Sequence, residues 1–148
     1  EKYCYDNNIA NCNTYGGLYQ WDEAMQYSIT PGTKGICPTG WHIPTRAEFE
    51  TLRTSAHNEG NSLKAVGQGT GGGQGTNTSG FSALLAGDRY YAYPGTFGSL
   101  ERLSYFWSST EVNSDGAGSM TLGYYDSHIS LPLFNKDSGF SVRCVKDN

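Results

Sequence analysis

The sequence predicts a single α+β domain of short helices and strands, with disulfides expected. Three observations carry this reading. The stretches Phe106–Glu111 and Gly139–Val145 place aromatic or β-branched residues at alternate positions, the mark of buried strands. Thr45 and Glu48 stand at the head of a run that puts Phe49 and Leu52 on one helical face, a capping box leading into an amphipathic helix. Four cysteines sit in a chain rich in Gly, Asn, Ser, Thr and Tyr, which fits an exported disulfide framework. At 148 residues and 36% hydrophobic content, the chain fills one domain, 1–148, and does not divide comfortably into two.

Taken from the start, Cys4 and Cys12 enclose a polar, Asn-rich turn suited to a local bridge, and Cys37 and Cys144 are placed to join the middle of the chain to its last strand. Three pairings stay open on the residues alone. No Cys-x-x-Cys occurs, and His42, His57 and His128 fall near none of the cysteines, so disulfides are expected and a metal centre is not. Tyr15–Trp21 reads as a short strand around Leu18. Asp22–Tyr27 reads as a two-turn helix with acids at its positive end, stopped by Pro31-Gly32. Gly40–Pro44 is extended and leads into the helix capped by Thr45, whose apolar face continues to Ala56.

Gly67–Gly80 is low-complexity Gly, Thr, Gln and Asn, for which a mobile surface loop is the default. Its Gly67-Gln-Gly69-Thr-Gly-Gly72 matches a dinucleotide-binding spacing, but no strand leads in, no helix leads out, and no Gly-Lys-Ser or Gly-Lys-Thr follows. No cofactor is implied. Asn77-Thr-Ser79 is an acceptor sequon. Tyr90, Tyr91 and Tyr93 cluster ahead of Pro94-Gly95, suited either to packing or to an additional contact surface.

Ser119–Tyr124 and His128–Leu133 alternate as two strands around a turn at Asp126-Ser127, and Pro132 makes the second an edge. One face of this hairpin carries Ser119, Thr121, Gly123 and Tyr125, continued by His128, Ser130, Pro132 and Phe134; this face, with Asp126 and Leu131 from the same run, is the candidate ligand-binding surface. The run Val112–Asn135 is nearly uncharged and chemically mixed, and strand-like segments frame it. Such a surface suits recognition better than catalysis, which needs titratable groups at fixed mutual geometry. No Ser-His-Asp signature or His-Glu-x-x-His occurs, and Asp88, Glu111 and Asp115 read as scattered surface or cap groups, so no enzyme is expected. A net charge of −4 and a pI near 5.2 argue against nucleic acid and anionic membrane surfaces as partners. No apolar run approaches the roughly 18 residues of a membrane span.

Tyr15-Gly-Gly-Leu-Tyr-Gln-Trp21, Gly35-Ile-Cys-Pro-Thr-Gly-Trp-His-Ile-Pro-Thr45, Phe106-Trp-Ser-Ser-Thr-Glu111 and Gly139-Phe-Ser-Val-Arg-Cys-Val-Lys-Asp147 form four blocks in order across nearly the whole chain. Together they resemble the Fibrobacter succinogenes major paralogous domain. The resemblance implies a C-type-lectin-like fold, related to the formylglycine-generating enzymes, with two helices, small antiparallel sheets and ligand contacts on long loops. It also implies pairing of Cys37 with Cys144. Proteins of this fold include the variable proteins of diversity-generating retroelements, in which template adenines are randomised, yielding codons that cannot encode Met, Trp, Gln, Lys or Glu. Across Val112–Asn135, Met120 is the sole residue of those types. The resemblance thus implies an extracellular or surface-displayed binding protein whose partner is a protein or glycan on another cell or particle; the alternative is a non-diversified carbohydrate-binding or adhesion module.

Three departures limit what carries over. The family usually has an aromatic about where Gly118 stands. Neither Glu-Pro-Asn nor Trp-Asn-Asp occurs, so calcium-dependent sugar binding is not implied. The formylglycine-generating enzymes use reactive cysteines, whereas these four read as structural. A recognition role requires Tyr125, His128, Ser130 and Phe134 exposed on one contiguous face. The framework requires Trp107, Phe140, Val142 and Leu52 buried and Cys37 bonded to Cys144.

Overall fold

A computed structural model describes residues 1–148. The chain opens with β1 (Lys2–Tyr3), which pairs antiparallel with β2 (Leu18–Tyr19) across α1 (Ile9–Tyr15). The Asn-rich composition predicts only a turn here. The helix is capped by Asn8, whose side chain accepts from the Ala10 N–H, and it buries no residue, so it leaves no apolar periodicity to read. α2 (Trp21–Ala24) is shorter than the expected Asp22–Tyr27 helix, because Gln26 and Tyr27 take left-handed backbone angles and end it before Pro31 is reached. β3 (Trp41–His42) then leads into α3 (Arg46–Ser55), where the Thr45–Glu48 capping box forms as expected.

The main sheet is built from β4 (Ala86–Arg89), β5 (Phe97–Leu100), β6 (Leu103–Glu111), β7 (Gly116–Gly123), β8 (Ile129–Ser130) and β9 (Leu133–Asn135), in the order β5-β4-β6-β7-β8 with β9 also on β7. Successive side chains of a strand point to opposite faces. Phe106 and Trp107 therefore enter different cores: Trp107 joins Trp21, Met25, Ile43, Ala117 and Phe140, whereas Phe106 joins Phe49, Leu63, Met120, Leu122 and Ile129. The sheet is a partition, with α2 packed on one face and α3 on the other. Both large indoles bury completely and satisfy their N–H groups, Trp21 on the Ser108 carbonyl and Trp107 on the Tyr19 carbonyl, each at 2.8 Å.

The rest of the Phe106–Glu111 block stitches this partition to the chain around it. The register against β7 shifts between Trp107 and Glu111. The bulge turns Ser109 toward Pro44 and Gly32, whose carbonyl and N–H its hydroxyl meets at 3.2 and 2.8 Å. The Thr110 hydroxyl accepts from the first N–H of α3, and Glu111 pairs with the buried ammonium of Lys136. At Gly118, a side chain would strike the Ser108 hydroxyl, since an added Cβ would stand 2.7 Å from its oxygen.

Gly139–Val145 departs from the continuous strand its alternation suggested. Its first three residues bond three different neighbours, Gly139 to Arg89, Phe140 to Tyr19, and Ser141 to Tyr105 and Trp107, so no single ladder forms. β10 (Val145–Lys146) then pairs with β3. Trp107 and Phe140 are buried as required; Val142 and Leu52 are only half-buried at the margins of the two cores. Cys37 is bonded to Cys144 and Cys4 to Cys12, leaving no free cysteine. No helix is long and apolar enough to cross a membrane.

The end of the chain is clasped through His42. Its Nδ1 lies 2.7 Å from the Asp147 carboxylate and its Nε2 2.8 Å from that of Glu48. Only an imidazolium donates from both nitrogens. The bond to Asp147 holds the His42 pKa above its ordinary value, burial opposes the rise, and the Glu48 bond adds to it.

The disulfides and the His42 clasp carry separable shares of stability. Replacing Cys37 and Cys144 together by Ser, which frees a loop of sequence separation 107, lowers unfolding stability by roughly 4–5 kcal/mol in urea titrations. The same change at Cys4 and Cys12, separation 8, costs roughly 2–3 kcal/mol. For His42, a pKa raised by folding means that its contribution is complete below the free value of about 6.5 and is lost as pH rises through the higher folded value. His42→Gln should therefore destabilise most in mildly acidic buffer, and a deficit independent of pH would contradict the clasp.

Candidate recognition surface

The hairpin that carries the predicted surface keeps one register throughout. Gly116, Ala117 and Gly118 oppose Asn135, Phe134 and Leu133, and Thr121 and Leu122 oppose Ser130 and Ile129. β8 and β9 are thus one edge strand interrupted at Leu131-Pro132, where proline has no N–H to give the ladder. The interruption is bridged from the other side, since the Ser119 N–H donates to the Pro132 carbonyl at 2.9 Å.

The predicted residues divide by exposure. Tyr125 (63% exposed), His128 and Ser130 project into solvent. Thr121, Asp126, Pro132 and Phe134 are half-buried; Phe134 packs edge-on against Tyr105 and Phe140, with ring centroids 5.3 and 5.1 Å apart. Ser119, Gly123 and Leu131 are buried, which corrects their assignment to a displayed face. Alternation located the face but not its covering. Ser119 lies in the sheet between Trp107 and Pro132, Gly123 lies beside Leu103, and Leu131 points to the opposite face and fills the second core. Leu133, in the same run but outside the predicted face, is half exposed.

Tyr90, Tyr91 and Tyr93 are exposed, but not beside Tyr125. They follow β4, which runs parallel to β6, so they emerge at the end of the sheet where β6 finishes, whereas the Tyr125 turn adjoins the start of β6 at Leu103. The structure does not bring the two groups into one patch.

The turn after β7 is held by groups remote from it in sequence. Lys64, fully buried, donates from Nζ to the carbonyls of Gly123 at 2.5 Å and Asp126 at 2.8 Å. Burial pulls its pKa down, while the charges of Asp126 and Glu59 oppose that shift. The Thr70 N–H donates to the Tyr124 carbonyl at 2.7 Å and the Gly60 N–H to the Ser127 carbonyl at 2.6 Å. The Tyr124 N–H is taken by the Arg102 carbonyl. Every one of these contacts is to main chain.

The glycine-rich run supplies the space. At Gly73, a Cβ would stand 2.3 Å from the Tyr124 carbonyl oxygen, and at Gly69, 2.7 Å from the same atom. The 67–80 segment, expected to be mobile, lies instead as a cradle under Tyr124–Asp126, closed by the Gly75 N–H on the Gln68 carbonyl and the Asn61 amide on the Gly72 carbonyl. The missed signal was a lone lysine beside buried Leu63, followed by glycines in a density no ordinary turn needs. Within the turn, one side chain shapes the backbone: the Asp126 carboxylate accepts the His128 N–H at 2.9 Å. Tyr124 is flanked by Tyr125, edge-on at 5.1 Å, and by the Arg102 guanidinium at 5.9 Å.

No group of three or more His, Cys, Asp or Glu side chains is arranged to hold a metal ion. Asp88 is buried beside β5, and desolvation pushes its carboxyl up to about 6, with the Ser99 hydroxyl opposing. The family model described as the Fibrobacter succinogenes major domain matches residues 1–146, and the chain belongs to that family. No curated protein and no solved structure matches it.

The cradle makes a steric prediction. Gly73→Ala should cost about 1–3 kcal/mol by overpacking against the Tyr124 carbonyl, and Lys64→Met a comparable amount by leaving two buried carbonyls without a donor. Both should accelerate amide exchange at Tyr125–His128 ahead of the sheet. Uniform acceleration across the domain would contradict a local mount.

Proposed function

We propose that this member of the Fibrobacter succinogenes major domain family is a ligand-binding protein of C-type-lectin-like fold, displayed outside the cell, whose recognition surface is made by the hairpin edge and turn within residues 112–135. The observation that carries the reading is the main-chain mount of the Gly123–Ser127 turn. A backbone carbonyl is the same acceptor whatever side chain follows it, so exposed positions change without loss of the turn's geometry. Diversification by a retroelement fits this separation. The burial of Ser119, Gly123 and Leu131 confines it to outward positions, chiefly Tyr125, His128, Ser130 and Leu133. The two disulfides support an oxidising location. Binding rather than catalysis is favoured because Asp88, the acid most strongly raised in pKa, is buried in the sheet rather than set in an open cleft.

The alternative is an adhesion module with one fixed ligand, for which the separate exposed patch of Tyr90, Tyr91 and Tyr93 speaks. A near-copy of the coding segment for residues 112–138, mismatched only at adenines and lying beside a reverse transcriptase gene, is the expected finding; a locus without one, combined with a single preferred ligand, would favour the alternative. In the protein, single substitutions at Tyr125, His128 or Ser130 should each change stability by no more than about 0.5 kcal/mol, against about 2–5 kcal/mol for Leu131→Ala. A displayed library randomised at the outward positions should yield binders to unrelated proteins.

A further inference from the structure

A cavity of about 240 Å³ opens beside the displayed turn, lined by Gly67, Gln68, Gly69, Thr70, Glu101 and Tyr124. It lies between the glycine cradle and the turn joining β5 to β6. Its polar groups keep unused capacity. The Gln68 side-chain oxygen accepts from the Leu85 N–H at 2.8 Å, which leaves the two N–H donors of the amide free. Glu101 Oε1 accepts from the Tyr15 hydroxyl at 3.1 Å, and its second oxygen has no partner in an ion pair or hydrogen bond. The Thr70 hydroxyl is uncommitted, since only its backbone is used in holding the turn. Tyr124 is the aromatic residue of the lining, and the Arg102 guanidinium, outside the lining, stands 5.9 Å from its ring.

Taken together, these groups select a ligand chemistry. No cationic side chain lines the cavity and a carboxylate does, so phosphates and carboxylates are repelled. An ammonium would satisfy Glu101 but would leave the Gln68 donors facing a cation. Adjacent hydroxyls, each both donor and acceptor, satisfy acceptor, donor and hydroxyl at once, and the C–H face of a saturated ring matches the tyrosine. At about 240 Å³ the space falls below the roughly 300–1,000 Å³ of drug-sized sites, which suits one ring rather than several. We propose that this cavity is a fixed, metal-independent subsite for a single neutral pyranose unit of a glycan. It rests on reading this end of the sheet as the recognition end. In this arrangement Tyr124 and Glu101 contact the sugar, and the exposed neighbour Tyr125 reaches whatever is attached to it.

The test is amide-resolved NMR of the whole domain titrated with the methyl glycosides of glucose, galactose, mannose and N-acetylglucosamine, run beside a glycan array, with calcium chelated throughout. At least one glycoside should shift the Gly67, Gly69 and Thr70 amides saturably, with a dissociation constant on the order of millimolar. Glu101→Ala, which removes a charged acceptor at an exposed position, should weaken that binding about tenfold or more, and Tyr124→Ala should abolish it. Thr51→Ala, on the exposed side of α3, should leave it unchanged. Absence of saturable shifts with all four sugars and an empty array, or Glu101→Ala binding as the parent does in a folded spectrum, would overturn the subsite. Failure there, with library binders still obtained at Tyr125, His128 and Ser130, removes the subsite and leaves the recognition reading intact. Sugar binding without a template copy or reverse transcriptase upholds the subsite and removes diversification.

Discussion

A lysine ammonium with no exposure to water must make its hydrogen bonds inside the protein, and that constraint organises the end of the sheet where β7 turns back. Lys64 does so on two carbonyls of a single turn, those of Gly123 and Asp126. Removing such a charge from water costs several kcal/mol unless the polar partners are well placed, so the arrangement is stable only with the turn in its present form. Charge satisfaction and turn geometry are therefore one condition. The glycines at 69 and 73 belong to the same condition, because the carbonyl of Tyr124 lies where any larger residue would place a Cβ. Side chains of the turn, Asp126 apart, take no part in it.

Behind this mount stands a sheet that serves two cores. Because β6 alternates, Phe106 and Trp107 anchor opposite faces, and the bulge that follows redirects Ser109 and Thr110 to the loop around Pro44 and to the start of α3. The Cys37–Cys144 bridge and the His42 clasp then fix the last segment against β3 and α3. Packing and cross-links on this scale hold the framework independently of the exposed side chains of Tyr125, His128 and Ser130. The buried Leu131 marks where that independence ends, since it carries the edge strand into the second core.

What the sequence made legible follows the strength of its local signals. The capping box at Thr45 and Glu48, the burial of Trp107 and Phe140, and the edge position of Pro132 each rest on a residue whose chemistry admits few alternatives. Family resemblance, not spacing, singled out the long disulfide. Less legible were features that depend on distant partners. α1 buries nothing and so has no periodicity; the length of α2 is set by left-handed angles at Gln26 and Tyr27 that no proline announces. Strict alternation placed Ser119 on the same face as Ser130, correctly, but could not tell that Ser119 would be covered in the inner strand while Ser130 on the edge stayed open. The glycine-rich run looked entropically free because its partner, the backbone of Tyr124–Asp126, is remote in sequence and contributes no side-chain pattern.

Recognition at this edge requires a turn that is rigid for reasons other than its own side chains, Asp126 apart. Backbone ¹⁵N order parameters for Tyr125–His128, measured in the parent and in a variant carrying Tyr125→Ser, His128→Ala and Ser130→Ala, address this directly. Values near 0.85 in both proteins, matching the sheet, are the predicted result. Values below about 0.6 in the variant, or in the parent itself, would contradict it.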